Sequence, residues 1–190
     1  MKKRLIILSD LWGLEEAEWM DCYLKKLNPY FKIEFFDFRK LVGLDLSDNS
    51  EGKLHTGFVN GGIDRGVYKL GLQEKQTIIV LAFSVGGVIG WKAGLKGLKI
   101  SSLYAISSTR LRYEKEKPDC KCILYFGAND QYKPDVEWFR DLELDLNLID
   151  DQGHEMYHDE EFAKNICQKI IEEQVEANNT NFKNEQKRQY

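Results

Sequence analysis

The stretch QTIIVLAF, residues 76–83, constrains the fold most, because the six consecutive apolar residues 78–83 leave it no polar face. A strand of a half-solvated antiparallel sheet alternates polar and apolar residues, whereas a strand that is covered on both faces does not. The run therefore predicts a central strand in a parallel sheet, with helices packed on both sides of it.

Strand and helix signals alternate along the rest of the chain. The other predicted strands bring the number to six and are residues 4–9, 32–38, 100–107, 121–128 and 144–151. Helical spacing of apolar residues or small-residue composition predicts helices at residues 14–27, 58–72, 85–95, 135–142 and 159–177. Residues 41–57 are predicted as a polar loop. Such alternation predicts the α/β class and a three-layer α/β/α sandwich.

The length of 190 residues predicts one domain, residues 1–177, followed by a polar tail at residues 178–190. A net charge of -4 argues against nucleic acid and anionic membrane surfaces as partners. No apolar run approaches the roughly 20 residues of a membrane span. The apolar segment near the start is shorter than the roughly 7–15 residues of a signal sequence, so a cytoplasmic location is expected. The pair Cys120 and Cys122 has no second pair to complete a metal site, and the cysteines are interpreted as reduced thiols.

Polar residues at the ends of the predicted strands are the candidates for function, because sites in parallel sheets lie beyond the carboxyl ends of the strands. Three of these ends carry Ser84, Asp130 and His154, in that order along the chain. A hydroxyl becomes a good nucleophile when a base takes its proton, and a third group can orient that base. Serine, then aspartate, then histidine is also the chain order of a known hydrolase triad.

Four segments resemble motifs of the α/β-hydrolases, and the resemblance spans about residues 4–172. AFSVGG (82–87) resembles the nucleophile elbow, FGANDQYKP (126–134) the turn that bears the acid, and DQGHEMYHDEEF (151–162) the histidine loop. LIILSDLWGLEEAEW (5–19) resembles the oxyanion-loop strand, although most members have His-Gly-x-Gly where this chain has Asp10-Leu11-Trp12-Gly13. The Trp-Gly-Leu sequence is also similar to that of the pimeloyl-carrier methyl esterases.

The resemblance implies a role for each of these residues. Ser84 would be the nucleophile, His154 its base and Asp130 the acid that orients His154. The N–H of Val85 and that of Trp12 or Leu11 would bind the developing oxyanion. No cofactor is required.

Simpler interpretations of the same residues remain open. Ser84 could cap a helix, and Asp130 could be a turn residue. Asp150 and Asp151 are alternative acids, but they lie very close to His154 in sequence. His158 is the alternative base, although the glycine before His154 favours the latter.

The expected substrate pocket is small and uncapped. Phe83 and Trp12 are expected to wall an acyl pocket, Ser108 and Arg110 to line it, and Arg110 to attract an acidic substrate. Only about a dozen residues connect the strands that flank residues 107–121, which is barely enough for a crossover helix. We therefore expect no cap domain, and a site that is either open or covered by a second copy of the chain, as in a homodimer.

Together these observations predict a minimal serine hydrolase that cleaves a carboxylic ester or thioester of a small-molecule or carrier-linked acyl group. The alternative is a catalytically impaired member of the same fold that binds or signals. Asp10 and Leu11 favour this alternative slightly, because they stand where His-Gly is usual.

Overall fold

The computed structural model describes residues 2–13, 17–43 and 50–176. The predicted tail, residues 178–190, lies outside these ranges, as does the start of the first predicted helix, residues 14–16.

Six parallel strands form one sheet in the described part of the chain, in the order β2-β1-β3-β4-β5-β6. The strands are β1 Lys3–Leu8, β2 Phe31–Phe36, β3 Ile78–Phe83, β4 Ile100–Ile106, β5 Lys121–Gly127 and β6 Asn147–Ile149. Every residue of β3 is buried, which confirms the central position that its apolar run predicts. Ala82 of β3 is level with Leu8 of β1 and Ala105 of β4, so the carboxyl ends of these strands lie side by side.

Helices and helical turns connect the strands. The α-helices are α1 Met20–Leu27, α2 Phe38–Val42, α3 Glu51–Gly57, α4 Ile63–Gln73, α5 Val85–Leu95, α6 Val136–Asp141 and α7 Glu160–Ile171. The described residues also contain π-helical turns at Phe58–Gly62 and Glu172–Glu176 and 3₁₀-helices at Thr109–Tyr113 and Met156–His158. The side chain of Asp159 accepts the Phe162 N–H and begins α7, as the sequence predicts.

The prediction of a polar loop at residues 41–57 is wrong at both ends, because α2 continues to Val42 and α3 occupies Glu51–Gly57; residues 44–49 lie outside the described residues. The Asp37 carboxylate begins α2 by accepting the N–H groups of Arg39 and Lys40. Leu54 of α3 is buried in the core. Both helices are short, and glycines at positions 52 and 57 of α3 hide its helical spacing.

Two apolar cores lie on opposite faces of the sheet. One face packs against α2, α3, α4, α5 and α6, through residues such as Val80, Val88 and Phe139. The other face packs against α1 and α7, through residues such as Leu81 and Ile166. Alternate residues of β3 enter the two cores, which confirms the three-layer α/β/α sandwich. Between β4 and β5 there is no cap domain; a short helical turn, Thr109–Tyr113, stands there.

In the described ranges, no helix is both long and apolar enough to cross a membrane.

Candidate active site

Ser84 occupies a sharp turn between β3 and α5. Its backbone has φ 46° and ψ -116°, a conformation that a non-glycine residue holds only under strain. The Ser84 N–H donates to the Ile106 carbonyl at 2.8 Å, which fixes the turn to the end of β4. Two residues later, a Cβ on Gly86 would lie 2.5 Å from the Ser9 carbonyl oxygen, so only glycine fits there. The turn presents the Ser84 side chain at the carboxyl edge of the sheet, where it lines a cavity.

The structure brings Ser84, His154 and Asp130 into one hydrogen-bonded chain. Ser84 Oγ lies 3.0 Å from His154 Nε2, and His154 Nδ1 lies 2.7 Å from Asp130 Oδ2. Both distances are within the range of good hydrogen bonds. The His154 side chain is 38% exposed and reaches the cavity, whereas the Asp130 side chain is 2% exposed. This arrangement suits a base that faces substrate and a carboxylate that faces only the base.

Two loops hold His154 and Asp130 against each other. The Asn129 N–H donates to the Gln152 carbonyl at 2.9 Å, which joins the loop after β5 to the loop after β6. The Tyr132 N–H donates to Asp130 Oδ1 at 2.9 Å and so occupies the carboxylate oxygen that His154 does not use.

The Asp130 carboxyl is held in its ionised form. Burial opposes ionisation, but the hydrogen bonds from His154 and the Tyr132 N–H outweigh it, with smaller help from the charge of Lys133. The pKa of Asp130 therefore falls below its usual value. An ionised acid at this place fixes the orientation of the histidine ring.

The N–H of Val85 and that of either Trp12 or Leu11 were predicted as oxyanion donors, and the three groups differ in what they contact. Val85 is the first residue of α5. Val85, Leu11 and Trp12 all line the cavity. The Trp12 N–H donates to Asp10 Oδ1 at 3.1 Å and is therefore engaged. Within the described residues, the N–H groups of Val85 and Leu11 have no hydrogen-bond acceptor. These two remain available to a ligand.

A cavity of about 790 Å³ lies over Ser84. Of the residues predicted to bind substrate, Trp12 and Arg110 line it, but Phe83 and Ser108 do not. Phe83 is fully buried because β3 directs it into the core, where it packs edge-on against Trp19 and Tyr23. Its predicted place in the pocket wall is therefore wrong.

Ser108 is also fully buried, and its predicted place in the pocket is likewise wrong. Its hydroxyl donates to the Ile106 carbonyl at 3.4 Å, beneath the first turn of α5. A Cβ on Gly87 would lie 1.9 Å from this hydroxyl, so Ser108 fills the space that Gly87 leaves.

Several cavity residues were not among the predicted site residues. Glu51, His55 and Phe58 reach the cavity from α3 and the turn after it, and their spacing of four and three residues is the signal that could have found them. Tyr132 is 58% exposed and lines the cavity. Tyr157, a residue of the histidine loop, lines it as well.

The described residues contain no group of three or more His, Cys, Asp or Glu side chains that could hold a metal ion. Cys120 and Cys122 lie with their sulfur atoms 3.8 Å apart, near the start of β5 and away from the cavity.

Comparison of the sequence with protein-family models and with curated proteins finds no match. Solved structures do match. A Xanthomonas campestris protein assigned to the alpha/beta hydrolase superfamily matches with a TM-score of 0.66 and 15% identity, covering 90% of this chain and 99% of that one.

Est1E from Butyrivibrio proteoclasticus, in a structure with ferulic acid bound, has a TM-score of 0.65 and 14% identity, with 91% and 89% covered. Mouse alpha/beta hydrolase domain-containing protein 10 has a TM-score of 0.62 and 14% identity, with 89% and 85% covered. These similarities extend over most of each chain. The chain therefore has the α/β-hydrolase fold.

Proposed function

We propose that this chain of α/β-hydrolase fold is a serine hydrolase that cleaves a carboxylic ester or thioester through an acyl-enzyme on Ser84. The observation that carries the proposal is the continuous hydrogen-bonded chain from Ser84 through His154 to Asp130 at the edge of a cavity. The strained turn at Ser84 adds support, because such strain persists only where the surrounding structure enforces it.

In the proposed reaction, Ser84 Oγ attacks the acyl carbonyl carbon while its proton passes to His154 Nε2. The N–H groups of Val85 and Leu11 stabilise the tetrahedral oxyanion. Collapse of this intermediate breaks the bond to the leaving alcohol or thiol, which takes the proton from His154. A water molecule then attacks the acyl-enzyme, gives a proton to His154 and releases the acid, after which the proton returns to Ser84.

The cavity suits an acyl group of moderate size. Trp12, Phe58 and Tyr132 give it aromatic walls, and Arg110 and Arg112 bring positive charge to one side. Both guanidinium groups lie near the exposed ring of Tyr113, at 5.2 Å and 4.3 Å from its centre, which holds them at the rim. A small-molecule or carrier-linked acyl ester with an acidic portion is the substrate class that these contacts favour.

Labelling with a fluorophosphonate probe tests the proposal. The probe phosphonylates activated serines, so the intact protein should gain the mass of one adduct, and peptide mapping should place it on Ser84. Ser84→Ala should abolish labelling, and His154→Ala should slow it strongly because the hydroxyl loses its base. Hydrolysis of p-nitrophenyl acetate should fall in parallel in both variants.

Ser101→Ala is the matched control. Ser101 lies at the start of β4, is exposed and bonds the Ile78 carbonyl, far from the cavity. This variant should be labelled at the same rate as the unmodified protein. Folded protein that takes no adduct on Ser84 would contradict the hydrolase and favour the alternative, a binding or signalling protein that keeps the fold.

A further inference from the structure

We propose that Asp10 is a positioning residue: its side chain fixes the turn after β1 so that the Leu11 N–H, together with the Val85 N–H, faces the developing oxyanion. The inference rests on the proposed function of Ser84. It gives a role to the residue that stands where the resembling family has the histidine of His-Gly-x-Gly.

The first support is the turn itself. Asp10 Oδ1 accepts the Trp12 N–H at 3.1 Å, and the Asp10 carbonyl oxygen accepts the Gly13 N–H at 3.4 Å. A side-chain carboxylate that accepts the N–H two residues later closes a turn and restricts the residue between. That intervening residue is Leu11, which lines the cavity and whose N–H has no acceptor among the described residues. Of the two amides, Leu11 is therefore the one free to donate.

The second support comes from the other end of the carboxylate. The Tyr157 hydroxyl donates to Asp10 Oδ2 at 3.2 Å, and both side chains are buried. Tyr157 follows His154 by three residues, and its carbonyl accepts the Tyr23 hydroxyl at 3.0 Å, which anchors it to α1. One carboxylate thus connects the turn after β1 with the loop that carries His154.

A buried carboxylate is costly for a fold unless its hydrogen bonds are made. Burial raises the pKa of Asp10, and the Trp12 N–H, the Tyr157 hydroxyl and the charge of His158 only partly oppose this. His158 Nε2 lies 4.0 Å from Asp10 Oδ2, beyond hydrogen-bonding distance. The chain nevertheless keeps a buried carboxylate at this place, and its hydrogen bonds order the turn that contains Leu11.

The test compares Asp10→Ala, which removes the acceptor, with Asp10→Asn, which keeps an oxygen for the Trp12 N–H. Losing one oxyanion donor typically lowers kcat by about 10²–10³-fold. We expect D10A to lose about 10²-fold in kcat for p-nitrophenyl acetate with KM changed less than about threefold, because the lost contact forms only in the transition state. D10N should stay within about fivefold of the unmodified protein, since a neutral oxygen still closes the turn.

A second readout separates positioning from general support of the structure. Trifluoromethyl ketones form a tetrahedral adduct with an activated serine and carry the oxyanion that the proposed donors bind. D10A should raise the inhibition constant of such a ketone by about 10²-fold, which equals the expected fall in kcat/KM. Asp135→Ala is the matched control, because Asp135 also accepts a backbone N–H, that of Trp138, but is exposed and outside the cavity wall. It should change neither value.

Each outcome decides the matter. If D10A keeps kcat and inhibitor affinity within about threefold, or if D10N loses as much as D10A, Asp10 does not act by accepting the Trp12 N–H and the inference is wrong. If D10A does not fold, Asp10→Leu, which resembles aspartate in shape and lacks an acceptor, takes its place with the same expected loss. If fluorophosphonate leaves Ser84 of the unmodified protein unlabelled, the proposed function fails and this inference fails with it. A labelled protein with an unaffected D10A overturns the inference alone.

Discussion

Asp130 and Asp10 each carry a buried carboxylate just beyond the end of a strand, at the edge of the sheet where Ser84 lies, and the two are held in opposite ways. Both side chains are 2% exposed. Asp130 receives the His154 ring nitrogen at 2.7 Å and the Tyr132 N–H at 2.9 Å, and its pKa lies below the usual value. Asp10 accepts longer bonds, from the Trp12 N–H at 3.1 Å and the Tyr157 hydroxyl at 3.2 Å, and its pKa lies above that value.

Burial opposes the ionisation of both carboxylates and is the stronger influence at Asp10, and the two also differ in their hydrogen-bond partners. His154 can carry a positive charge and is 38% exposed, so water and charge both reach the pair with Asp130. Tyr157 stays neutral and is buried, so it adds a hydrogen bond to Asp10 without adding a charge. Asp130 is therefore suited to work as an anion, whereas Asp10 needs only to offer an oxygen that accepts.

Replacing each aspartate by asparagine gives the largest expected contrast. Asp130→Asn should lower kcat for p-nitrophenyl acetate by about 10⁴-fold, because an amide favours the wrong tautomer of the histidine and cannot stabilise its protonated form. Asp10→Asn should lower it less than about fivefold, because its oxygen still accepts the Trp12 N–H. Steady-state kinetics of the two variants at one pH measures the contrast.

Thermal unfolding of both variants serves as the control, since each must be folded at the assay temperature. Equal losses of kcat in the two variants would contradict the distinction between a charged acid and a neutral acceptor. A loss larger in D10N than in D130N would reverse the proposed assignment and make Asp10 the acid of greater importance.

Much of the fold follows from the sequence because its signals are local. The run at residues 78–83 has no polar face, and the structure places it in the centre of the sheet with every residue buried. The short helices α2 and α3 give no such signal: they are fixed by the Asp37 carboxylate and by the burial of Leu54 in the core. Tertiary packing, rather than helical spacing, decides whether such short helices form.

In the site, too, the residues at strand ends could be predicted, whereas contacts between distant segments could not. Ser84, Asp130 and His154 could be placed at one edge of the sheet from strand order alone, because parallel strands end on the same side. The contact between Asp10 and Tyr157 joins residues 147 positions apart, and no pattern in either segment predicts it. Phe83 was misplaced because the sequence identifies an aromatic beside the serine but does not reveal which face of the sheet it enters.

The pH dependence of stability should sharpen the comparison. The lowered pKa of Asp130 means that its ionised form stabilises the fold above the unfolded value of about 3.9, and that this contribution is lost as pH falls through the folded value. The raised pKa of Asp10 has the opposite sign: ionisation above about 3.9 weakens the fold, and protonation at lower pH relieves this.

Urea unfolding of the two asparagine variants at about pH 3.5 and about pH 6.5 measures this effect. Relative to the unmodified protein, D130N should lose more stability at the higher pH. D10N should lose less stability, or gain some, at the higher pH, because it no longer buries a charge. If the loss of unfolding free energy grew with pH in both variants, or shrank with pH in both, the ionised forms of the two carboxylates would affect the fold in the same way, which would contradict the prediction.

The smallest expected effect comes from Tyr157→Phe, which removes the hydrogen bond that Asp10 Oδ2 accepts. Asp130 offers no equivalent test, because its second donor is the backbone N–H of Tyr132, which a side-chain substitution does not remove. Because the Trp12 bond closes the turn without the hydroxyl, Y157F should lower kcat less than about fivefold and destabilise the fold by about 1 kcal/mol. Tyr104→Phe is the matched control, since it also removes a buried hydroxyl, one that bonds Glu173 away from the cavity. Y104F should leave kcat unchanged, and a loss of about 10²-fold in Y157F would instead show that the link to the histidine loop, not the turn at Trp12, holds the oxyanion donor in place.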